Sequence, residues 1–154
     1  MKKIALIAVL TAAVAAPGAQ AGRFTIVVTS VSLAAKPTDV APKGTSKGDT
    51  IEYRDRLLNA KRQFGRAKGA VVGSDRGTMT FTSARTAIFS GVAVLPGGTL
   101  QLEGRVVALG KGFAIPVSGG TGRFAKAKGY VLVGPGEKRA LNTYTLSIPT
   151  VPVA

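Results

Sequence analysis

The 154-residue chain contains no cysteine, no histidine and no tryptophan, and only seven acidic side chains stand against 21 Lys and Arg. Without cysteine there is neither a disulfide framework nor a thiolate nucleophile, so an ordinary hydrophobic core has to hold the fold, and a chain of this length can bury one. Without histidine, the Ser-His-Asp arrangement, the imidazole general base and ordinary zinc sites are excluded. No metal site is expected. Any chemistry has to come from Asp, Glu, Tyr, Lys, Arg or the shape of a cavity. Aromatic side chains make up 6% of the residues, too few for a base-stacking platform, and the basic residues are scattered, so nucleic acid is not the expected partner.

What is present is positive charge, +14 over the whole chain. Such a surface attracts polyanions, but it also simply keeps a protein soluble. The first residues, MKKIALIAVLTAAVAAPGAQA, have the three parts of a secretory signal peptide: Lys2 and Lys3, an apolar run over Ile4 to Ala16, and Ala19-Gln20-Ala21 as a small-residue cleavage site. The run is shorter than the roughly 20 residues a bilayer span needs. Cleavage after Ala21 is therefore expected rather than an uncleaved anchor, which gives a secreted or periplasmic protein with no transmembrane helix after cleavage.

Beyond the signal the pattern is β throughout. Phe24 to Leu33 is rich in β-branched residues and predicts a strand, followed by a loop rich in Pro, Gly and Ser up to Asp49. Further strands are expected at Thr50–Leu57, Gly69–Ser74, Gly77–Ala84, Thr86–Leu95, Thr99–Leu109, Gly129–Val133 and Ala140–Ile148. Asn59 to Arg66 reads as either a helical turn or a loop. Ser74-Asp75-Arg76-Gly77 is expected as a turn, and Pro96-Gly97-Gly98 as a hairpin. About eight strands with almost no helix indicate an antiparallel barrel or sandwich.

The stretch PVSGGTGRFAKAKGY, Pro116 to Tyr130, contains the GxGxxA spacing of a dinucleotide-binding turn at Gly120, Gly122 and Ala125. That fingerprint requires a long helix after the glycines and an acid about 20 residues on. Gly129 interrupts the first, and Glu137 comes too early for the second. The residues read instead as a backbone reversal: Thr121 as N-cap of a single helical turn, Gly129 in left-handed conformation to close it, and Phe124 stoppering one end of the domain.

The same run resembles the PVxGGTGxFxxAxGY signature of dirigent proteins and the related allene oxide cyclases. FGRAKG at Phe64 to Gly69, GTLQLEGR at Gly98 to Arg105 and NTYTL at Asn142 to Leu146 match further segments of that family in the same order. The resemblance, which covers roughly Ile51 to Ile148, implies an all-β fold, a calycin-like eight-stranded antiparallel β-barrel; together with the readings above it divides the chain into residues 1–21 as signal, 22–49 as first strand and flexible loop, 50–148 as the rest of the barrel, and 149–154 as a C-terminal tail. Gly119, Gly120, Thr121, Gly122, Phe124 and Gly129 are its structural signature. It also implies a homo-oligomer, a trimer, and an apolar cavity that works without a cofactor by orienting a small molecule, a phenoxy radical in dirigents or a lipid epoxide in cyclases. FTIVVTSVSL carries neither the His-Asp pair of plant dirigents nor the acid of the cyclases on the first strand.

Arg105 is the matching position that the resemblance assigns to the cavity, and Asp55 is its most plausible acidic companion as a candidate catalytic residue. Alternation puts Arg105 on the face opposite Leu100 and Leu102 unless Gly104 forms a bulge. Tyr53, Tyr130 and Tyr144 are the remaining candidates to line a cavity. Three readings of function follow: a barrel binding or orienting a small apolar molecule, a structural or envelope-associated barrel whose core is filled by residues such as Met79, Phe81 and Phe89, and a cationic polyanion-binding surface protein.

Overall fold

The computed structural model describes residues 21–107 and 112–149. The expected signal peptide, the tail beyond Pro149 and the end of the strand expected to reach Leu109 lie outside the described residues. Eight strands follow in order: β1 (Ala21–Thr38), β2 (Thr50–Asn59), β3 (Val71–Ser83), β4 (Thr86–Leu95), β5 (Gly98–Val107), β6 (Phe113–Gly120), β7 (Lys128–Val133) and β8 (Arg139–Pro149). Each pairs antiparallel with the next, and β8 returns to β1, with Ile26 opposite Tyr144, so the sheet closes into a barrel. Closure gives every described strand a partner on both sides, which is how an all-antiparallel sheet of this size limits pairing with its neighbours.

Alternation decides what fills the interior. On β5, Leu100, Leu102 and Val106 are buried and Gln101, Glu103 and Arg105 exposed; on β8, Asn142, Tyr144 and Leu146 are buried. Inward side chains of all eight strands form one cluster that includes Val28, Leu57, Phe89 and Val131.

Three expectations need correction. Ser74 to Gly77 is not a turn but the middle of β3, which fuses the two short strands expected on either side of it. Pairing of Arg76 with Arg54 on β2 and with Val92 on β4 overrides the local turn preference. The strand β6 was hidden by Pro116 and its terminal glycines, which punctuate sequence as loops do, so the two errors leave the count at eight. The loop expected after Leu33 begins later, because β1 runs on to Thr38.

The barrel has two different ends. At one, Asn59, buried on β2, donates from Nδ2 to the carbonyls of Gln63, Arg66 and Ala67 and so folds Ala60 to Ala70 into a loop. Gln63 ties that loop to β1, accepting from Val27 N at 2.9 Å and donating to Val27 O at 2.6 Å. The one-turn 3-10 helix Gly122–Phe124 lies at the same end, where the Phe124 ring is fully buried and stacks on Phe24 at 6.4 Å. Arg123 covers it, its guanidinium 5.5 Å from the Phe124 ring and 5.9 Å from that of Phe64. At the other end, Asp49 holds the β1–β2 loop by accepting from Val40 N and Ser46 N, and these two bonds keep its carboxyl below the usual range, that from Ser46 most strongly.

Candidate functional site

A cavity of about 450 Å³ occupies the interior toward this second end, beside the β7–β8 turn at Gly134 to Glu137. Its walls are mostly apolar, with Ile51, Met79, Phe89, Leu102, Ile115 and Val131 among them. The inward set expected for a filled core, Met79, Phe81 and Phe89, does point inward and is buried, yet space remains in front of Met79 and Phe89.

One wall is polar. Asp55 on β2 and Asp75 on β3 are directly opposed across the ladder, both facing the cavity. Asp55 sits there because it shares the parity of Tyr53 and Leu57; Asp75 shares that of Met79 and Phe81. The Ser30 hydroxyl of β1 donates to Asp55 Oδ2 at 2.5 Å. Burial raises the pKa of Asp55, and the hydroxyls of Ser30 and Ser32 partly offset this. Asp75 is more strongly affected: burial first, and the neighbouring Asp55 second, push its carboxyl up to about 7. On β8, Tyr144 is fully buried and its hydroxyl is held well above the usual range by burial, reinforced by Asp75 and Asp55. Tyr53, packed on Phe89 at 5.6 Å between ring centroids, is shifted the same way by burial and then Asp75.

Three buried polar atoms on this wall have no hydrogen-bond partner among the described residues: Asp75 Oδ1, Asn142 Oδ1 and Tyr144 Oη. Leaving such groups unpaired is costly in a folded interior. The site therefore offers acceptors to a guest, and a carboxyl that can exchange a proton near neutrality.

The structure thus brings together three of the residues singled out from sequence, Tyr53, Asp55 and Tyr144. It separates the other two. Arg105 is exposed on the outer face because β4 and β5 pair without a register shift, so Gly104 makes no bulge there. Gly104 instead takes φ +155° where a Cβ would meet the Pro116 ring. Tyr130 also points outward, 42% exposed, since Val131 takes the inward position on β7. The signature residues Gly119 to Phe124 lie at the closed end, away from the cavity. There Thr121 makes no side-chain cap; its hydroxyl pairs with that of Thr99 at 2.8 Å. Lys126 (φ 60°), not Gly129 (φ 143°), takes the left-handed conformation after the helical turn. Sequence reading missed Asp75 and Asn142. Extending the Met79–Phe81 alternation back through Gly77 would have found the first, and the parity of Tyr144 the second.

Among the described residues no group of three or more His, Cys, Asp or Glu side chains is placed to hold a metal ion, and no helix is long and apolar enough to cross a membrane.

A closed up-and-down barrel enclosing a cavity, apolar but for one wall of carboxylates and hydroxyls, defines a class of cavity-bearing β-barrels. The sequence matches the dirigent-like protein family over residues 22–148, and the chain belongs to that family. In fold it is similar to a pyocyanin demethylase, at 21% identity and TM-score 0.70, covering 80% of this chain and 99% of that one. It is also similar to a pterocarpan synthase dirigent protein, at 17% identity and TM-score 0.59 over 83% and 84% of the two chains. A third similar fold is the Diels-Alderase AbmU from Streptomyces koyangensis, at 19% identity and TM-score 0.59 over 82% of this chain and 64% of that one. At these identities the likeness is one of fold. No curated protein sequence matches the chain.

Proposed function

We propose that this is an exported dirigent-like barrel that binds and orients a small, mostly apolar molecule, phenolic or lipid-derived, in its interior cavity without a cofactor. The observation that carries the reading is the cavity itself. Its volume of about 450 Å³ falls within the range of small-molecule sites, and its apolar walls with a few convergent polar groups have the usual composition of one. Any reaction there would proceed through orientation of the guest against one wall, with the Asp55–Asp75 pair to give or take a proton. A pyocyanin demethylase, a dirigent pterocarpan synthase and a Diels-Alderase among the similar folds support small-molecule work for this architecture. The signal-like segment before Gly22 supports export, and a mature N-terminus at Gly22, read by mass spectrometry of the secreted product, is the expected result.

Titration of the protein with 2-naphthol, and separately with linoleyl alcohol, tests the binding. Saturable uptake of at least one of them is expected, with loss of uptake in Ala140→Trp, which places an indole in the cavity while leaving the circular dichroism of the barrel in place. Linear, unsaturable uptake of both compounds would rule the reading out.

A further inference from the structure

We infer that the cavity selects guests carrying a positively charged or multiply N–H-bearing group on an apolar body, and rejects carboxylates. The inference rests on the proposed binding function and narrows it. The chain has 21 basic and seven acidic residues, yet the cavity inverts that balance: Asp55, Asp75 and Glu137 line it, and among its described lining residues none is Lys or Arg. An independent observation is the hydrogen-bond deficit. Asp75, Asn142 and Tyr144 are 5%, 4% and 0% exposed, and each has an oxygen with no hydrogen-bond partner among the described residues. Two of those oxygens, a carboxylate and an amide carbonyl, can only accept while Asp75 is ionised. A guest that satisfies them has to bring donors, and an ammonium or amidinium brings donors and opposite charge at once. A guest carboxylate would meet the like charges of Asp55, Asp75 and Glu137, while the Ser30 and Ser32 hydroxyls on this wall are already engaged by Asp55.

The groups facing Asp75 from each neighbouring element are Asp55 and Tyr53 on β2 and Tyr144 and Asn142 on β8; across β4 it faces only Ala93. None supplies positive charge, so ionising Asp75 leaves net negative charge in the cavity. Cation preference should therefore grow with pH until that carboxyl is fully ionised.

Three compounds with one naphthalene body test this by isothermal titration calorimetry at pH 8: 2-naphthylmethylamine, 2-naphthalenemethanol and 2-naphthoate. The amine is expected to bind roughly tenfold or more tighter than the alcohol, and the carboxylate weaker than both. The amine-to-alcohol ratio should shrink between pH 8 and pH 5.5, where the amine stays charged and Asp75 does not. In Asp75→Asn, or in Asp55→Asn should the first fail to fold, the ratio should fall toward one. Equal binding of all three, tighter binding of the carboxylate, or a ratio indifferent to pH would overturn the inference and leave the binding function standing. No saturable binding of any of the three would overturn both.

Discussion

Asp75 shows what one side chain in the wrong-looking place can reveal. A carboxyl 5% exposed, opposite a second carboxyl, is costly in its charged form, and its pKa rises from the ordinary 3.8 to about 7. The folded chain therefore holds this proton more tightly than the unfolded chain. Below pH about 4 both states are protonated and the penalty is absent; as pH rises toward about 7 the folded state alone stays protonated and stability falls, then levels off. Asp55 is raised as well and adds to the same trend. Urea denaturation of wild type is expected to show a decline of up to about 4 kcal/mol across that interval, at about 1.4 kcal/mol per pKa unit. Asp75→Asn should flatten most of it and exceed wild type in stability at pH 8. A wild-type stability that climbs between pH 4 and pH 7 would contradict the burial described here.

Between strands, the segment Gly119 to Lys128 shows why a motif with nucleotide-like spacing binds no phosphate. Its helix is one turn long, and its backbone is already engaged: Thr121 N and Arg123 N donate at 2.9 Å to the carbonyls of Thr99 and Gly97 in the β4–β5 hairpin. Gly122 sits at φ +58°, where a Cβ would land on the Gly97 carbonyl oxygen. Gly122→Ala is expected to cost about 2 kcal/mol or more, from left-handed strain of roughly 1–2 kcal/mol plus the displaced hairpin. Gly44→Ala, at φ +94° with open space around it, should cost only the strain. The difference between the two denaturation midpoints isolates the clash. Phe124→Ala, which empties the stopper between Phe24 and Arg123, should lower stability by about 3–5 kcal/mol in the same assay. A midpoint equal to wild type would mean that the ring closes nothing.

Across the whole molecule, charge and apolarity are divided between two faces of one cylinder. The inner face carries the core, two carboxylates and the cavity, while the outer face carries Arg54, Arg76, Glu103 and Arg105. The outer face also exposes an apolar strip on neighbouring strands, with Tyr130 42%, Leu132 48% and Leu141 53% exposed. The homo-oligomer that family resemblance implies would bury such a strip. Sedimentation velocity is expected to show an assembled wild type and a shift toward monomer in Leu132→Lys, with unchanged dichroism. A single monomeric species in wild type at micromolar concentration would contradict the assembly.

Most of the strands, their antiparallel sense and the inward face of those that alternate cleanly could be read from the chain alone, because burial on one side of a sheet imposes a period of two that survives in a single sequence; β6 and the middle of β3 could not. Family membership was legible for a related reason: a Cβ at Gly120 or Gly122 would strike backbone oxygens at 2.5 Å or less and the Phe124 ring is fully buried, so those letters of the motif are held by steric fit. What the chain could not disclose was which inward positions meet. Asp55 and Asp75 are separated by the β2–β3 loop and become partners only through register, and register is set by the bulge at Val72 and by closure of β8 on β1. Uninterrupted pairing of β4 with β5 kept Arg105 outside, and the curvature of the closed sheet left a space in front of Met79 and Phe89. A cavity is a property of how eight strands curve together, and no local pattern encodes it.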